Sequence, residues 1–268
     1  MPLPRQPRAV ITGAASGFGR ALALELATRR AKILVADINP EGAAETVKLV
    51  AAAGGEGFAT RCDVTQIDDV VALLGEADRA LGGVDLLVNN AGVAVAGPVG
   101  VVPLSDWEWV MGINLWGVIH GCHVFVPRFR EQRSGAILNV SSAAGLIGAM
   151  ELAPYNVTKA GVVALSETLN AELADLGVSV TVLCPTFFTT RLAEGLRSHG
   201  KLKNEVLTRL MARAKLQADG VARAALEAVD AGQLYAVPQA DGLWFWRLKR
   251  AMPQAFNKIV PKMLRLLR

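Results

Sequence analysis

The sequence predicts an α/β fold: a doubly wound, mostly parallel sheet of seven strands with helices on both faces, in three layers. Three observations lead there. Short apolar runs alternate with stretches of helical periodicity between residues 8 and 237, the rhythm of βαβ units. The first run, residues 8–12, opens into the glycine-rich turn Gly13-Ala14-Ala15-Ser16-Gly17-Phe18-Gly19, and a helical pattern follows. Later runs end on small or polar residues, and a parallel sheet gathers its ligands at the carboxyl ends of its strands.

Taken in order, residues 8–12 predict the first strand, and Ala21, Leu22, Leu24, Leu26 and Ala27 predict the first helix. Glycines allow the sharp turn between them and let a pyrophosphate approach a helix N-terminus, where free N–H groups and the dipole favour anions. The spacing is Gly-x-x-x-Gly-x-Gly, not the commonest dinucleotide fingerprint. Glycine-rich turns also serve as plain connectors; the position as first βα turn favours phosphate binding. The second strand, Lys32-Ile33-Leu34-Val35-Ala36, ends in Asp37. An acidic residue about 20 positions beyond the glycines is expected on the ribose hydroxyls. Its charge would repel a 2′-phosphate, which favours NAD over NADP. The structural alternative is that Asp37 caps the helix opening at Pro40-Glu41.

The alternation continues with a helix over 41–53, a strand over 57–62 leading into Asp63-Val64, and a helix over 67–81. The fourth strand, Val84-Asp85-Leu86-Leu87-Val88, runs into Asn89-Asn90-Ala91-Gly92. A longer helix over 106–128 carries Asn114 among apolar neighbours. A buried Asn must be hydrogen-bonded, and it could simply stitch two helices together. Ala136-Ile137-Leu138-Asn139-Val140 then delivers Ser141-Ser142, a helix follows from Pro154 to about residue 174, and Val178-Ser179-Val180-Thr181-Val182-Leu183 ends at Cys184-Pro185. Beyond it, apolar residues including Phe187, Phe188, Leu192, Leu196, Leu202, Val206, Leu207, Leu210 and Met211 are spread through a long connection. Such a connection is usually functional, and 186–217 is expected to form a substrate lid. A helix over 219–230 and a strand over 234–237 complete one domain, and 241–268 forms a C-terminal extension.

The helix after Pro154 begins Tyr155-Asn156-Val157-Thr158-Lys159. Residues four apart share a helix face, so the Tyr155 hydroxyl and the Lys159 ammonium can approach one ligand. A nearby cation favours the phenolate and lowers a tyrosine pKa, which would make Tyr155 a proton donor and acceptor near neutral pH. The plain alternative is a surface Tyr and a solvated Lys.

Composition bounds the rest. At 268 residues, 52% hydrophobic and 19% charged, the chain can bury a large core. There is no run of 18 apolar residues and no apolar leader core, which argues against a spanning helix or a secretory signal. Cys62, Cys122 and Cys184 sit in apolar segments and read as reduced core residues of a cytoplasmic protein. His120, His123 and His199 do not read as a ligand set, so no metal is expected. From residue 243 onward there are seven Lys and Arg and no acid, leaving the remainder of this +4 chain at −3. The basic pI belongs to the tail and does not indicate nucleic-acid binding.

Together, Thr12-Gly13-Ala14-Ala15-Ser16-Gly17-Phe18-Gly19, Asp63-Val64, Asn89-Asn90-Ala91-Gly92, Asn114-Leu115-Trp116-Gly117, Ser142 and Tyr155-x-x-x-Lys159 resemble, in order, the short-chain dehydrogenases/reductases, a Rossmann-like family. The resemblance covers roughly residues 9–237. It implies Tyr155 as general acid/base, Lys159 lowering its pKa and holding the nicotinamide ribose, Ser142 binding the substrate oxygen, and Asn114 maintaining a water-linked proton path. Ser141 stands one place off the family spacing. Gly13, Ser16, Gly17, Phe18, Gly19 and Asp37 would bind the cofactor with Asp63, Val64, Asn90, Ala91 and Gly92. Pro185, Phe188 and Thr190 would complete its site, Thr190 on the carboxamide. The family usually has glycine where this chain has Thr186, which puts the local backbone in question.

The expected function is NAD(H)-dependent transfer of hydride between a nicotinamide and a secondary alcohol or ketone. The alternative is a dinucleotide-binding sensor without turnover. The apolar lid suits a bulky apolar substrate. Relatives form homodimers or dimers of dimers through the helices carrying Asn114 and Tyr155, and the same is expected here. The tail combines Leu243-Trp244-Phe245-Trp246 with its cations, the composition of an interfacial segment. Packing over the cleft or a neighbour is the favoured reading of the tail, and peripheral contact with a membrane the lesser one. Pro253 and Pro261 are expected to divide it into short pieces.

Overall fold

The computed structural model describes residues 2–200 and 204–266, with the backbone alone at 204, 206, 210 and 260–266. Leu202 and Arg268 therefore lie outside the described residues, as do the side chains of Val206, Leu210, Lys262 and Arg265.

In chain order, β1 (Arg8–Thr12), α1 (Gly17–Ala27), β2 (Lys32–Asp37), α2 (Pro40–Ala52), β3 (Glu56–Arg61) and α3 (Ile67–Leu81) form the first half. β4 (Leu86–Asn89) and the short β5 (Val95–Ala96) lead into α4 (Leu104–Met111), a π-helical turn (Gly112–Trp116) and α5 (Gly117–Gln132). Next come β6 (Gly135–Val140), α6 (Ala143–Ile147), α7 (Ala153–Leu173) and β7 (Val178–Leu183). The two-residue β8 (Arg197–Ser198), α8 (Asn204–Ala212), α9 (Ala218–Asp230), β9 (Tyr235–Ala236), α10 (Ala240–Ala251) and α11 (Pro253–Leu266) complete the order.

Seven strands pair in parallel in the order β3-β2-β1-β4-β6-β7-β9, and β5 pairs with β8 apart from them. Residues along each strand alternate between two cores, as the pleat requires. Ala9, Ile11, Ile33 and Val35 pack with α1, α2 and α9, while Val10, Leu34 and Ala36 pack with α3, α5 and α7. Strands buried on both faces explain the unbroken apolar runs of the sequence. The strand order reverses between β1 and β4, so the glycine turn and Asn89-Asn90-Ala91-Gly92 leave the sheet side by side. That is where an open α/β sheet forms its ligand crevice.

Two expectations are corrected. The long helix is not uniform, because a π-helical turn over Gly112–Trp116 interrupts it at Asn114. Such single turns often stand at functional sites. The tail divides at Pro253, which begins α11, but not at Pro261, which lies inside that helix. Although Leu104–Gln132 is long and apolar enough to cross a membrane, Val118, Cys122, Phe125 and Phe129 of α5 are buried in the core under the sheet.

The extension packs on the domain. The Trp246 ring lies 4.7 Å from that of Tyr235, and Lys249 Nζ donates to the Leu146 carbonyl at 2.8 Å. Phe245 meets the buried Phe256 edge-on. Trp244, Met252 and Ile259 remain exposed on its outer side.

Candidate active site

The glycine turn is held by its neighbours. Asn90 Nδ2 donates to the carbonyls of Thr12 (2.8 Å) and Gly13 (2.9 Å), and Thr12 Oγ1 accepts the N–H groups of Asn90 and Ala91. A Cβ at Gly13 would stand 2.7 Å from Ala91 Cα, and one at Gly19 would stand 2.3 Å from the Gly13 oxygen. Close packing of strand end, helix and crossing loop therefore demands glycine at both. Asn90 braces the turn. The N-terminus of α1 has no side-chain cap at Ser16 and no acidic residue in its first turn, so it fits a pyrophosphate.

Asp37 ends β2 facing the same turn. Its carboxylate accepts the N–H of Ala15 at 2.9 Å and of Asn39 at 3.0 Å. It does not cap α2: Asn39 does, accepting from Gly42 N at 3.0 Å. Asp63 folds into a tight turn, accepting both N–H and hydroxyl of Thr65. Val64 is buried against Gly117, where a Cβ would come within 2.7 Å of it. Gly92 sits between Asn114 and Lys159: a Cβ there would be 3.4 Å from Asn114 Oδ1 and 3.6 Å from Lys159 Nζ.

The reactive centre gathers at the start of α7. Ser142 Oγ caps α6, accepting Ala144 N at 3.1 Å, and the Ser142 side chain lies beside the Tyr155 phenol. Ser141 is buried and donates to the Lys159 carbonyl at 2.7 Å, so only Ser142 is turned toward the phenol. Lys159 is buried and its Nζ donates to the Val140 carbonyl at 2.8 Å. Asn114 is fully buried, its Oδ1 accepting Val93 N (2.8 Å) and its Nδ2 donating to Val93 O (2.9 Å). The π-turn aims this amide at the chain leaving β4.

The electrostatics differ from expectation. Burial pushes Tyr155 up to about 12, with only partial opposition from the Ser142 side chain. Burial pulls Lys159 down to about 8. Its ammonium is turned to the Val140 carbonyl and not to the phenol.

Residues 7–201 match the family described as short chain dehydrogenase. A 3-oxoacyl-[acyl-carrier-protein] reductase, FabG, of Staphylococcus aureus is 34% identical over 203 residues, 75% of this chain and 82% of the relative. The chain belongs to the short-chain dehydrogenase family. An oxidoreductase of Mycobacterium tuberculosis, SadH, is 38% identical over 176 residues, 66% of this chain and 64% of that one. Among solved structures, a short chain dehydrogenase/reductase from Burkholderia phymatum in complex with NAD superposes with a TM-score of 0.85 at 36% identity, covering 92% of this chain and 93% of the other.

Two sites where this short-chain dehydrogenase departs from simple reading lie after β7. Thr186, in place of the family glycine, donates its N–H to Gln239 Oε1 (3.1 Å) and its hydroxyl to Asp241 Oδ1 (3.3 Å). A Cβ at Gly242 would strike its methyl at 2.7 Å, so the side chain docks the extension. Phe188 is buried edge-on against Phe18, ring centres 5.2 Å apart, and it is core instead of cleft. Pro185 accepts Ala143 N at 2.9 Å. Thr190 Oγ1 accepts Leu192 N at 3.2 Å, and a Cβ at Gly17 would be 3.8 Å from Thr190 Cβ, so this residue reaches the glycine turn. Ala193, Leu196, Leu207 and Met211 cluster with Ala94 and Ala96, and the Tyr155 ring and Leu192 pack against them.

Sequence reasoning missed Val93 and Val140, whose backbone groups hold Asn114 and Lys159. No side-chain pattern marks a carbonyl acceptor. It also missed Gln239, which approaches Thr186 from 53 residues away.

Proposed function

We propose that this short-chain dehydrogenase is an NAD(H)-dependent oxidoreductase of a bulky, apolar secondary alcohol or ketone, working as a ketone reductase. The observation that carries this is the Tyr155 phenol beside Ser142, with its ring packed on the apolar cluster of Ala193, Leu196, Leu207 and Met211. A phenol protonated at neutral pH can give its proton to a carbonyl oxygen, the role carbonyl reduction needs. The named activity of the FabG relative, reduction of a 3-oxoacyl group, is of this class.

A bound nicotinamide cofactor supplies the hydride. Ser142 holds the carbonyl oxygen, and Tyr155 gives that oxygen its proton as negative charge builds there. Lys159 would hold the ribose hydroxyls, and Asn114 fixes the Val93 backbone. Gly13, Ser16, Gly17, Phe18 and Gly19 would hold the pyrophosphate, Asp37 the adenosine ribose, and Asp63 and Val64 the adenine. Ala91, Gly92, Pro185 and Thr190 would line the nicotinamide end. Asp37 disfavours a 2′-phosphate by charge, and the NAD-bound neighbour agrees with that preference. One domain carries all of this, with 186–217 covering the substrate and 241–268 bracing it. Exposed Trp116 and Val157 on adjoining helices support a homodimer or homotetramer, and three free buried thiols suit the cytoplasm.

A screen in both directions with NADH and NADPH over 3-oxoacyl thioesters, steroid ketones, long-chain secondary alcohols and short hydroxy acids tests the reading. Turnover with NADH on the apolar carbonyls is expected. Preference for NADPH, or for short hydroxy acids, would overturn the finer assignment, and cofactor binding without any turnover would favour a sensor.

A further inference from the structure

We propose that Asp106 is a positioning residue that latches the substrate-covering segment over Tyr155 by gripping Arg197 and His199. The inference rests on reading 186–217 as that cover.

An aspartate in the first turn of a helix ordinarily faces solvent and complements the free N–H groups there. Asp106, in the first turn of α4, is 7% exposed. Its Oδ1 accepts from Arg197 Nη1 at 2.7 Å and its Oδ2 from His199 Nε2 at 2.6 Å. These two bonds hold its carboxyl below the ordinary range, His199 first and Arg197 second. One helical turn on, the Trp109 ring lies 3.6 Å from the same guanidinium, within cation–π reach. One face of α4 therefore clasps both sides of Arg197.

The backbone beneath shows why a latch is needed. Arg197 opens the two-residue strand β8 and His199 follows it, and the pairing runs through Arg197 N to Ala94 O (3.1 Å) and His199 N to Ala96 O (2.8 Å). So short a pairing is marginal in water. The residues on either side of it, Leu196 before and Leu207 and Met211 after, belong to the cluster against which Tyr155 packs. Asp106 thus holds the midpoint of the cover while its flanks close on the phenol. The same helix passes directly into the π-turn bearing Asn114, so the latch and Asn114 share one continuous element. Both oxygens of the sheltered Asp106 carboxylate are bonded, so removing Arg197 leaves one of them short of a charged partner.

The test uses Asp106→Asn, Arg197→Ala and the double variant of the full chain, read by amide hydrogen exchange and by steady-state kinetics. Exchange of peptides within 186–200 should rise about tenfold in each single variant while β4 and β6 stay protected. KM for an apolar ketone should rise about tenfold with kcat held within about threefold, since the cover binds substrate without touching the reacting atoms. The double variant should fall clearly short of the product of the two singles, because the Asp106–Arg197 bond is lost in both while the His199 and Trp109 contacts are each lost in one. Unchanged exchange in Arg197→Ala, whose side chain is partly exposed and leaves Asp106 paired to His199, would overturn the latch even if Asp106→Asn unfolds. Multiplying effects in the double variant would overturn it too. Exchange needs no turnover, so an inert wild type would sink the reductase reading while the latch is still judged.

Discussion

The Lys159 ammonium lies 5.7 Å from the centre of the Tyr155 ring, and it donates to the Val140 carbonyl instead of to the phenol. The two side chains sit one turn apart on α7, the lysine buried and the tyrosine half-buried, and burial moves their proton affinities apart, to about 12 and about 8. Each is pushed toward its neutral form, because charge is disfavoured where water is excluded. The phenol is thus protonated at neutral pH, and Lys159 is the group that would hold a cofactor's ribose.

Tyr155→Phe removes only the phenolic hydroxyl with its transferable proton. Turnover should fall by about 10³-fold or more, within the range for loss of a general acid, while NADH affinity changes little. Stopped-flow turnover and fluorescence titration of NADH read the two quantities separately. Retention of a substantial fraction of the wild-type rate would remove Tyr155 from the mechanism.

Lys159→Met should change how stability depends on pH. The folded lysine titrates near 8, and the unfolded one near 10.4. Between those values the unfolded chain binds the extra proton, so the wild type gains stability as pH rises through the window. The buried thiols, pushed up to about 12, work the other way in both proteins, because the unfolded chain releases their protons first. The informative quantity is the difference in urea midpoint between wild type and variant at pH 8 and pH 9.5. The wild type should gain on the variant by about 1 kcal/mol per pH unit, and a constant difference would show that Lys159 keeps an ordinary pKa.

The sheet was legible because parallel strands buried on both faces leave unbroken apolar runs, as in Lys32-Ile33-Leu34-Val35-Ala36. The turn was legible because its glycines are forced by contact, Gly13 on Ala91 and Gly19 on the Gly13 carbonyl. Less could be read where backbone is the partner. Asn114 shows in sequence as an oddly polar helical residue, but its bond to Val93 and the π-turn that aims it leave no trace. Phe188 reads as cleft lining from its place in the chain, and only the fold brings Phe18 against it. Asp106 looks like a first-turn acid until β8 is seen to bring Arg197 and His199 to it.

Asp37→Ala should narrow the preference for NADH. The carboxylate that would repel a 2′-phosphate is lost, so the ratio of kcat/KM for NADH over NADPH should drop by about tenfold. The variant should also be less stable by roughly 2 kcal/mol, because Asp37 accepts the N–H groups of Ala15 and Asn39. Equal kcat/KM values for the two cofactors in the wild type would show that Asp37 does not discriminate.

Trp116→Glu combined with Val157→Glu should give a monomer. Both side chains are about half exposed, at 53% and 48%, on helices whose other faces are already packed. A charge at each would meet its symmetry mate or an apolar surface in a dimer. Light scattering at micromolar concentration should show dimer or tetramer for wild type and monomer for the variant, and a monomeric wild type would refute the assembly.

The extension should act as a brace. Trp246 packs on Tyr235, whose hydroxyl bonds Glu167 of α7, and Thr186 beside the expected nicotinamide end is tied to Gln239 and Asp241. Trp246→Ala removes the first contact and should destabilise by roughly 2–3 kcal/mol, the scale of a half-buried aromatic. A chain ending at Asp241 loses α10 and the Gly242 contact on Thr186, so its turnover should fall by more than its stability alone explains. The competing role is a lipid surface, with Trp244 and Met252 outward and cations along the tail, each adding about 1 kcal/mol near anionic headgroups. Flotation with anionic vesicles at low salt separates the two. Both chains should stay with the soluble fraction, because Trp246 and Lys249 are spent on the domain itself. If the full chain floats and the shortened one does not, the tail is a membrane contact, and the loss of turnover must be measured again with vesicles present.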